Sequence, residues 1–310
     1  MTGERAMKNP FVSDAGQEET DQALVNAAVR GDRGALEALV RRHQPWIYNV
    51  AFRMVMVPAE AEDVTQDILV KFLTKLSSYD PERGAFRTWL YRIVVNHALN
   101  MKSRGYEQHI TGFETYYDFV DQVPNQDPDD NPETALMTED LKIGCVMGTL
   151  LCLDRKQRLA FILAAGFGAT DVVGSEVLGI SRDAFRKTLS RARGKLREYM
   201  NGNCGVVNPE APCRCRRKIK SFIDSGAYTV DRLNFVAPDR PRMSEMAGDF
   251  QDDFSTEMTE PIVALHREHP FYEANVGLDP GVVLRQFGLY VDALLFGPGL
   301  VLHFHVLHEL

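Results

Sequence analysis

Three cysteines about two-thirds of the way along the chain have the residue type and spacing for metal or redox chemistry. Cys204, Cys213 and Cys215 form a C-x8-C-x-C pattern interleaved with and followed by Lys and Arg. Thiols beside cations ionise readily, as zinc coordination or a redox response requires. A structural zinc site needs four ligands, so zinc here and unmetallated thiols in a turn-rich connector are both open interpretations. The candidates for the fourth ligand are Cys145, Cys152, His266 and His269.

A second group of residues suits the binding of a polyanion. Between Arg182 and Arg197 there are seven Lys or Arg and one acid, Asp183. Each phosphate that such a segment neutralises releases condensed counterions, so nucleic acid is the expected partner. A solvated basic helix face is the ordinary alternative. The seven are Arg182, Arg186, Lys187, Arg191, Arg193, Lys195 and Arg197.

The elements that position these cations follow a helix-turn-helix pattern. A helix of about eight residues is predicted to end at Gly179, where glycine suits a left-handed position. Ser181 is placed to cap the next helix. An apolar stripe of that helix can pack inward, which leaves its basic faces outside and favours DNA over bulk solvent. The stripe consists of Phe185, Leu189, Ala192 and Leu196.

The first hundred residues also have a helical period, and segments with a strand period are absent. Helices are predicted from Thr20 and Asp21, over residues 59–76 and over residues 85–104. Pro45 is expected to kink or restart a helix. The predicted fold is therefore all-α.

An acidic segment separates the two helical regions. From Glu107 to Leu141 there is no Lys or Arg, and ten acidic residues and three prolines accumulate. This composition predicts an extended acidic linker between two helical domains, followed by a mixed, mostly helical C-terminal extension. The predicted divisions are a disordered tail at 1–20, a helical domain at 21–105, the linker at 106–133, a helix-turn-helix domain at 134–200 and the extension at 201–310.

Composition bounds the functional class. The chain has 310 residues, 45% of them hydrophobic and 25% charged, with a formal net charge of −8. This excludes wholesale disorder, a collagen or coiled-coil rod, and a uniformly basic coat protein. No apolar run is long enough to predict a membrane helix, and the first residues lack a secretory pattern, so a cytoplasmic protein is expected.

Two blocks resemble the sigma subunits of bacterial RNA polymerase, specifically the small extracytoplasmic-function (ECF) group. The first comprises GDRGALEALVRRHQPWIYNVAFRMV, AEDVTQDILVKFLTKL and GAFRTWLYRIVVNHALNMKSR. The second comprises LDRKQRLAFIL, the helix-turn-helix and SRARGKLRE. The resemblance covers residues 21–200. It implies a sigma region 2-like domain and a region 4-like domain, which bind core polymerase through its β and β′ subunits, select promoters and help to open them without bond chemistry.

The resemblance also implies roles for individual residues. Core polymerase binding falls on Asp63, Gln66, Asp67 and Thr74. Reading of the minus-ten element falls on Ser78, Tyr79, Asp80, Arg83, Arg87, Trp89, Arg92, Asn96 and Asn100. Reading of the minus-thirty-five element falls on Ser181, Arg182, Arg186, Lys187, Ser190, Arg191 and Arg193. The sequence departs from many relatives at Asp154, where proline is common, and at Thr188, where arginine is common.

Two other functions remain open at this point. One is a helix-turn-helix regulator that works without polymerase, against which the polar stripe around Asp63 and Asp67 speaks. The other, remote, is a metal- or thiol-dependent enzyme built on the cysteines, but no paired acid and base accompanies them. The extension is expected to be regulatory, with an anti-sigma factor or other regulator as a candidate partner.

Overall fold

The computed structural model describes residues 15–233, 235–236 and His266. The described residues form ten α-helices and no strand, apart from an isolated backbone bridge between Cys204 and Cys213. This confirms the predicted all-α fold. The helices are α1 Ala15–Val29, α2 Arg33–Val55, α3 Pro58–Lys75, α4 Phe86–Asn100, α5 Phe113–Asp121, α6 Pro132–Gly148, α7 Arg155–Phe161, α8 Asp171–Leu178, α9 Arg182–Asn203 and α10 Cys215–Asp224. Within the described residues, no helix combines the length and apolar character that a membrane crossing needs.

Helices α1–α4 form a first module around a common apolar core. The Asp32 side chain caps α2 by accepting from the Ala35 N–H at 3.0 Å, and Pro58 occupies the first turn of α3, where its missing N–H costs nothing. The restart expected at Pro45 is wrong, because α2 continues through it, and a kink there stays a prediction. The packing of the following turns outweighs the lost hydrogen bond: the buried side chains include Ile47, Val50, Ala51, Phe52, Ile68, Phe72, Leu90 and Val94.

The first helix begins earlier than the sequence indicated. Helix α1 starts at Ala15, so the predicted disordered tail is wrong for residues 15–20, while residues 1–14 lie outside the described part. Good helix formers in AGQEET extend the helix by one turn and a half. The helix also carries the fully buried carboxylate of Asp21, whose Oδ1 lies 2.7 Å from Arg42 Nε.

The acidic linker is not extended throughout. Residues 113–121 form α5, because Phe113 and Tyr116 give it an apolar side that packs on Tyr199, at ring-centroid distances of 5.0 and 6.0 Å. The Tyr116 hydroxyl donates to the Cys145 carbonyl at 2.7 Å. The prediction of an extended segment therefore fails here, although residues 122–131 contain no helix.

The start of the extension lies against the linker. Helix α10 packs on α6, and its buried Lys218 donates to the carbonyls of Asp121 and Val123, at 3.4 and 2.5 Å. The Gln126 N–H donates to the Arg217 carbonyl at 2.8 Å. Opposite charges add to this contact, since Arg216 lies 3.0 Å from Asp130 and Arg217 lies 3.6 Å from Asp127. The basic helix thus holds the acidic linker at residues 121–130.

Helices α6–α9 form a second module that shares its core with the first. Buried apolar side chains are continuous from Val25 to Phe235. Phe235 lies between the modules, with its ring 6.0 Å from that of Phe52 on α2 and its N–H donating to Asp140 on α6 at 2.5 Å. Helix α8 also contacts α4. The chain therefore adopts a closed arrangement in which the extension bridges both modules. The part of the predicted extension beyond residue 236 lies outside the described residues, His266 excepted.

Candidate nucleic-acid interface

The predicted turn between α8 and α9 has the expected geometry. Gly179 adopts the left-handed conformation with φ 65° and ψ 34°, which glycine adopts at little cost. The Ser181 hydroxyl accepts from the Ala184 N–H at 3.2 Å and caps α9. Phe185 packs directly over Gly174, where a Cβ atom would lie 2.3 Å from the ring. Both local predictions for the helix-turn-helix are confirmed.

The cations of α9 lie at the surface because its apolar stripe is buried. Phe185, Ala192 and Leu196 are buried, and of the predicted minus-thirty-five residues all are exposed except Arg193, which is half-buried. Arg186 pairs with Asp171 on α8. Lys187 Nζ lies 2.8 Å from Asp183 Oδ2. These exposed pairs hold the side chains weakly, so phosphates or base edges can replace the carboxylates.

Helix α4 carries the second predicted nucleic-acid face. Arg92, Asn96 and Asn100 are exposed and lie at i, i+4 and i+8 on one stripe. The Asn100 amide donates to the Asn96 carbonyl at 2.7 Å. Arg92 faces α8, where its Nε donates to the Glu176 carbonyl at 3.1 Å and its Nη2 lies 3.4 Å from Glu176 Oε1. Arg92, one of the three residues of this stripe, is thus bonded to α8 of the second module.

The loop before α4 is exposed at Ser78, Asp80 and Arg83. Asp80 accepts from the Glu82 N–H at 3.0 Å, which orders a short helical turn. The hydroxyl of the half-buried Tyr79 donates to Gln22 Oε1 at 2.9 Å, and its ring lies 5.5 Å from that of Trp89. These two aromatic residues are part of the packing at the loop as well as of its surface.

Arg87 does not belong to this surface. Its side chain is 10% exposed, and its Nε lies 2.7 Å from Oδ2 of the buried Asp21. The prediction that Arg87 contacts DNA disagrees with this placement. The helical spacing gave no sign of the pair, because its carboxylate comes from α1, 66 residues earlier.

The predicted polymerase-docking residues lie on α3. Asp63, Asp67 and Thr74 are exposed and Gln66 is half-buried. Asp67 Oδ2 lies 3.6 Å from Arg104 Nη2 and 3.9 Å from His97 Nε2, and its side chain remains 52% exposed. The core of the first module leaves this polar face outside.

His97, next to this face, makes the stability of the chain depend on pH. Its Nδ1 lies 2.7 Å from Lys71 Nζ. Burial first, and then the charge of Lys71, hold the pKa of His97 below 6.5, although Asp67 opposes the shift. The unfolded chain therefore takes up this proton at a higher pH than the folded chain does, and stability falls as the pH drops through 6.5.

We expect His97→Gln to flatten this part of the pH profile. The measurement is urea denaturation at about pH 7.5 and about pH 5.5, with the exposed His109→Gln as the matched control. The carboxylates of Asp21 and Glu107 have lowered pKa values, so their contributions are lost only at lower pH, below about 4.5. An unaltered slope in His97→Gln would contradict this origin.

A buried ionic group at the junction of the modules was missed by the sequence analysis. Arg158 is 2% exposed and donates to Glu107 Oε1 at 3.0 Å, and Arg155 Nη2 lies 2.6 Å from Glu107 Oε2. Arg158 also donates to the carbonyls of Leu150, Leu151, Leu153 and Met54. Burial opposes ionisation of Glu107, but the two guanidinium groups hold its pKa below its usual range. The signal available was the polar segment DRKQR, with two Arg, between the apolar segments TLLCL and LAFIL.

The two departures from the family pattern have local explanations. Asp154 accepts from the Gln157 N–H at 2.9 Å and so caps α7, a role at a helix start that needs no proline. The Thr188 hydroxyl donates to the Ala184 carbonyl at 2.8 Å within α9. Neither disturbs the helix-turn-helix.

All five cysteines are free thiols. The backbones of Cys204 and Cys213 form an isolated β-bridge, and Cys145 on α6 lines the same small cavity as these two residues. His266 lies against Phe161, with ring centroids 5.0 Å apart, and His269 lies outside the described residues. In the described part of the chain, no three Cys, His, Asp or Glu side chains already form a group arranged to hold a metal ion.

The chain is similar to known proteins in both sequence and family pattern. Residues 39–106 match the family model for sigma-70 region 2. The RNA polymerase sigma factor CnrH of Cupriavidus metallidurans is 29% identical over 189 residues, covering 60% of this chain and 97% of CnrH. The ECF RNA polymerase sigma factor SigE of Mycolicibacterium smegmatis is 30% identical over 187 residues, covering 59% of this chain and 68% of SigE. The chain belongs to the ECF sigma factors.

The ECF sigma factor described here functions in transcription initiation. Its matches cover about three-fifths of the chain, which fits a family core that carries an extension. A solved structure of CnrH in complex with the cytosolic domain of CnrY is also similar, with a TM-score of 0.44 and 26% identity, covering 59% of this chain and 97% of CnrH.

Proposed function

We propose that this sigma factor binds core RNA polymerase, directs it to promoters with defined minus-ten and minus-thirty-five elements, and assists their opening without bond chemistry of its own. The observation that supports this best is the presence of three different exposed surfaces in one chain. They are the polar face of α3, the stripe of α4 and the cationic face of α9. A regulator that acts without polymerase has no use for the first of them.

Polymerase binding is assigned to the α3 face, with the β and β′ subunits as the proposed partners. Asp63 and Asp67 are exposed, so their negative charges lie outside the core of the first module. Charges at the rim of an interface act chiefly through the association rate and through selection of the partner. The proposed surface on the polymerase is therefore basic.

Promoter recognition is assigned to α9 for the minus-thirty-five element and to α4 with its preceding loop for the minus-ten element. An Arg near the start of a recognition helix can bond two acceptors of guanine in the major groove. Exposed Asn side chains on α4 can bond bases or backbone. Capture of unstacked bases near Tyr79 and Trp89 would stabilise the melted state over the duplex.

In the closed arrangement the chain cannot contact the minus-ten and minus-thirty-five elements at the same time. Their positions differ by about 25 base pairs, or about 85 Å at 3.4 Å per base pair, whereas α4 and α8 are in contact and Arg92 bonds Glu176. The chain must therefore open before it binds a promoter. The linker at residues 121–130, held by α10, is the segment that would have to extend. An anti-sigma factor as a further partner stays a prediction.

Reconstituted transcription on a library of genomic fragments tests this function. The complete chain with core polymerase should initiate from a subset of fragments that share two elements, and core polymerase alone should not. DNA binding by the chain without any polymerase-dependent transcription would instead support the independent regulator.

Replacing both acids of the docking face should weaken polymerase binding. We expect the double variant Asp63→Asn, Asp67→Asn to bind core polymerase about tenfold less tightly, because two complementary charges are lost at an interface. The measurement is titration of labelled core polymerase.

The matched control is Glu114→Gln, Asp118→Asn, which removes two exposed acids from α5. Equal affinities for the two double variants would remove the α3 assignment. Retained promoter binding by the Asp63 and Asp67 variant, once polymerase is saturated, would locate the loss in the docking step.

A further inference from the structure

A small cavity between α6, the end of α9 and the start of α10 is bordered by four of the five thiols. Its volume is about 90 Å³, and Cys152 is not among the residues that line it. The fold therefore selects one fourth partner from the candidates that the sequence left open. The four lining thiols are Cys145, Cys204, Cys213 and Cys215.

The backbone fixes three of these cysteines relative to one another. Cys204 follows the last residue of α9 and forms a backbone bridge with Cys213. The Cys213 N–H donates to the Asn203 carbonyl, and the Gly205 N–H donates to the Cys213 carbonyl, both at 3.2 Å. Cys215 begins α10. The backbone between these cysteines is short and already hydrogen-bonded. It therefore loses little conformational freedom when a metal ion binds, as a preorganised site requires.

The expectation that neighbouring cations keep these thiols readily ionised is wrong for two of the three cysteines it concerned. Burial raises the pKa of Cys204, and the hydrogen bond with Cys213, followed by burial, raises the pKa of Cys215. Burial also raises the pKa of Cys145, to about 12, whereas the pKa of Cys213 is lowered to about 7, chiefly by its hydrogen bond with Cys215. Zinc binding must therefore release protons from these thiols.

The surroundings favour a negatively charged metal centre. Four thiolates around a divalent ion carry a net charge of about −2. The buried Lys218 lines the same cavity, and Arg214 lies within the thiol segment and donates to the Cys213 carbonyl at 3.0 Å. Cations in these places offset that charge.

We propose that Cys145, Cys204, Cys213 and Cys215 bind one zinc ion as a tetrahedral four-thiolate site. Four thiolates are a preferred ligand set of structural zinc. In the described part of the chain the side chains form no group arranged to hold a metal ion, so the proposed site requires the thiols to rotate about their Cα–Cβ bonds into the cavity. The ion ties α6 to the start of α10, and it thereby holds α10 against residues 121–130.

Zinc quantification on the purified complete chain tests the site. After dialysis we expect about one zinc ion per chain, an at least tenfold loss in Cys145→Ser and in Cys213→Ser, and no loss in Cys152→Ser. Substitution by cobalt(II) should give the visible absorption of tetrahedral thiolate coordination in the wild type and in Cys152→Ser. Wild-type zinc content in Cys145→Ser, or a wild-type chain that holds no zinc when purified under reducing conditions, overturns the proposal.

A second measurement does not depend on variants that fold. Chelation of zinc from the wild-type chain should raise the hydrogen exchange rate of the Gln126 amide, which donates to Arg217 of α10, about tenfold or more. The Leu90 region in the core of the first module should exchange as before. An unchanged rate at Gln126 after complete removal of the metal would refute the proposed link to the linker.

Discussion

Arg158→Met is expected to lower the free energy of unfolding by about 3–5 kcal/mol, because it leaves the buried Glu107 with one cation in place of two and leaves buried carbonyls without their donor. The guanidinium is 2% exposed, contacts Glu107 and satisfies four backbone carbonyls. Methionine has a similar length but donates no hydrogen bond, so the carbonyls would be left without this donor. Urea denaturation followed by circular dichroism measures the effect.

Arg191→Met is the matched control, since Arg191 is exposed on α9. Surface substitutions of this kind change stability by about 0.5 kcal/mol or less. Glu107→Gln should fall between the two, because its amide can still accept a hydrogen bond while its charge is lost. A loss in Arg158→Met no larger than that in Arg191→Met would show that this ionic group does not hold the modules together.

Arg186→Ala is expected to reduce selective transcription about 5- to 150-fold at promoters with the preferred minus-thirty-five element. This corresponds to the 1–3 kcal/mol that a two-bond Arg to guanine contact contributes to discrimination. Arg186 is 67% exposed and close to the start of α9, so the variant loses no core packing. Run-off transcription on matched and mismatched promoters gives the ratio.

Lys195→Ala is the comparison for this variant. Lys195 is further along α9 and its Nζ donates to Gln157 at 3.1 Å. Its loss should therefore weaken binding to all sequences alike. A ratio of matched to mismatched transcription that is the same in Arg186→Ala and the wild type would exclude Arg186 from base recognition.

The helix-turn-helix could be predicted from the sequence because its determinants are local. Gly179 and Ser181 lie two residues apart. Each acts on backbone within three residues of itself, Gly179 by its left-handed conformation and Ser181 by capping α9. The inward stripe of α9 follows from helical period alone. The α3 face could be located in the same way, since a polar stripe opposite an apolar one needs no knowledge of other elements.

The errors concern contacts between segments far apart in the chain. The resemblance assigned Arg87 to DNA, but Arg87 lies three and seven residues before the buried Leu90 and Val94 on α4, and its partner Asp21 is on α1. The linker composition predicted an extended chain, but Tyr116 finds a buried place beside Gly148 that only the assembled second module provides. The proposal of Cys145 as the fourth zinc ligand likewise required the packing of α6 against α10, which the sequence does not show.

If promoter binding requires the two modules to separate, as proposed above, the contact of α4 with α8 and the packing of Phe235 between the modules add a step to initiation that occurs within the sigma factor itself. If only a fraction of free chains is open, the apparent dissociation constant for any partner of the open form equals the intrinsic one divided by that fraction. Raising the polymerase concentration cannot speed a unimolecular opening once it limits the rate. The rate at which transcription begins would then have an upper limit set within this chain, and a surplus of closed chains would not raise it.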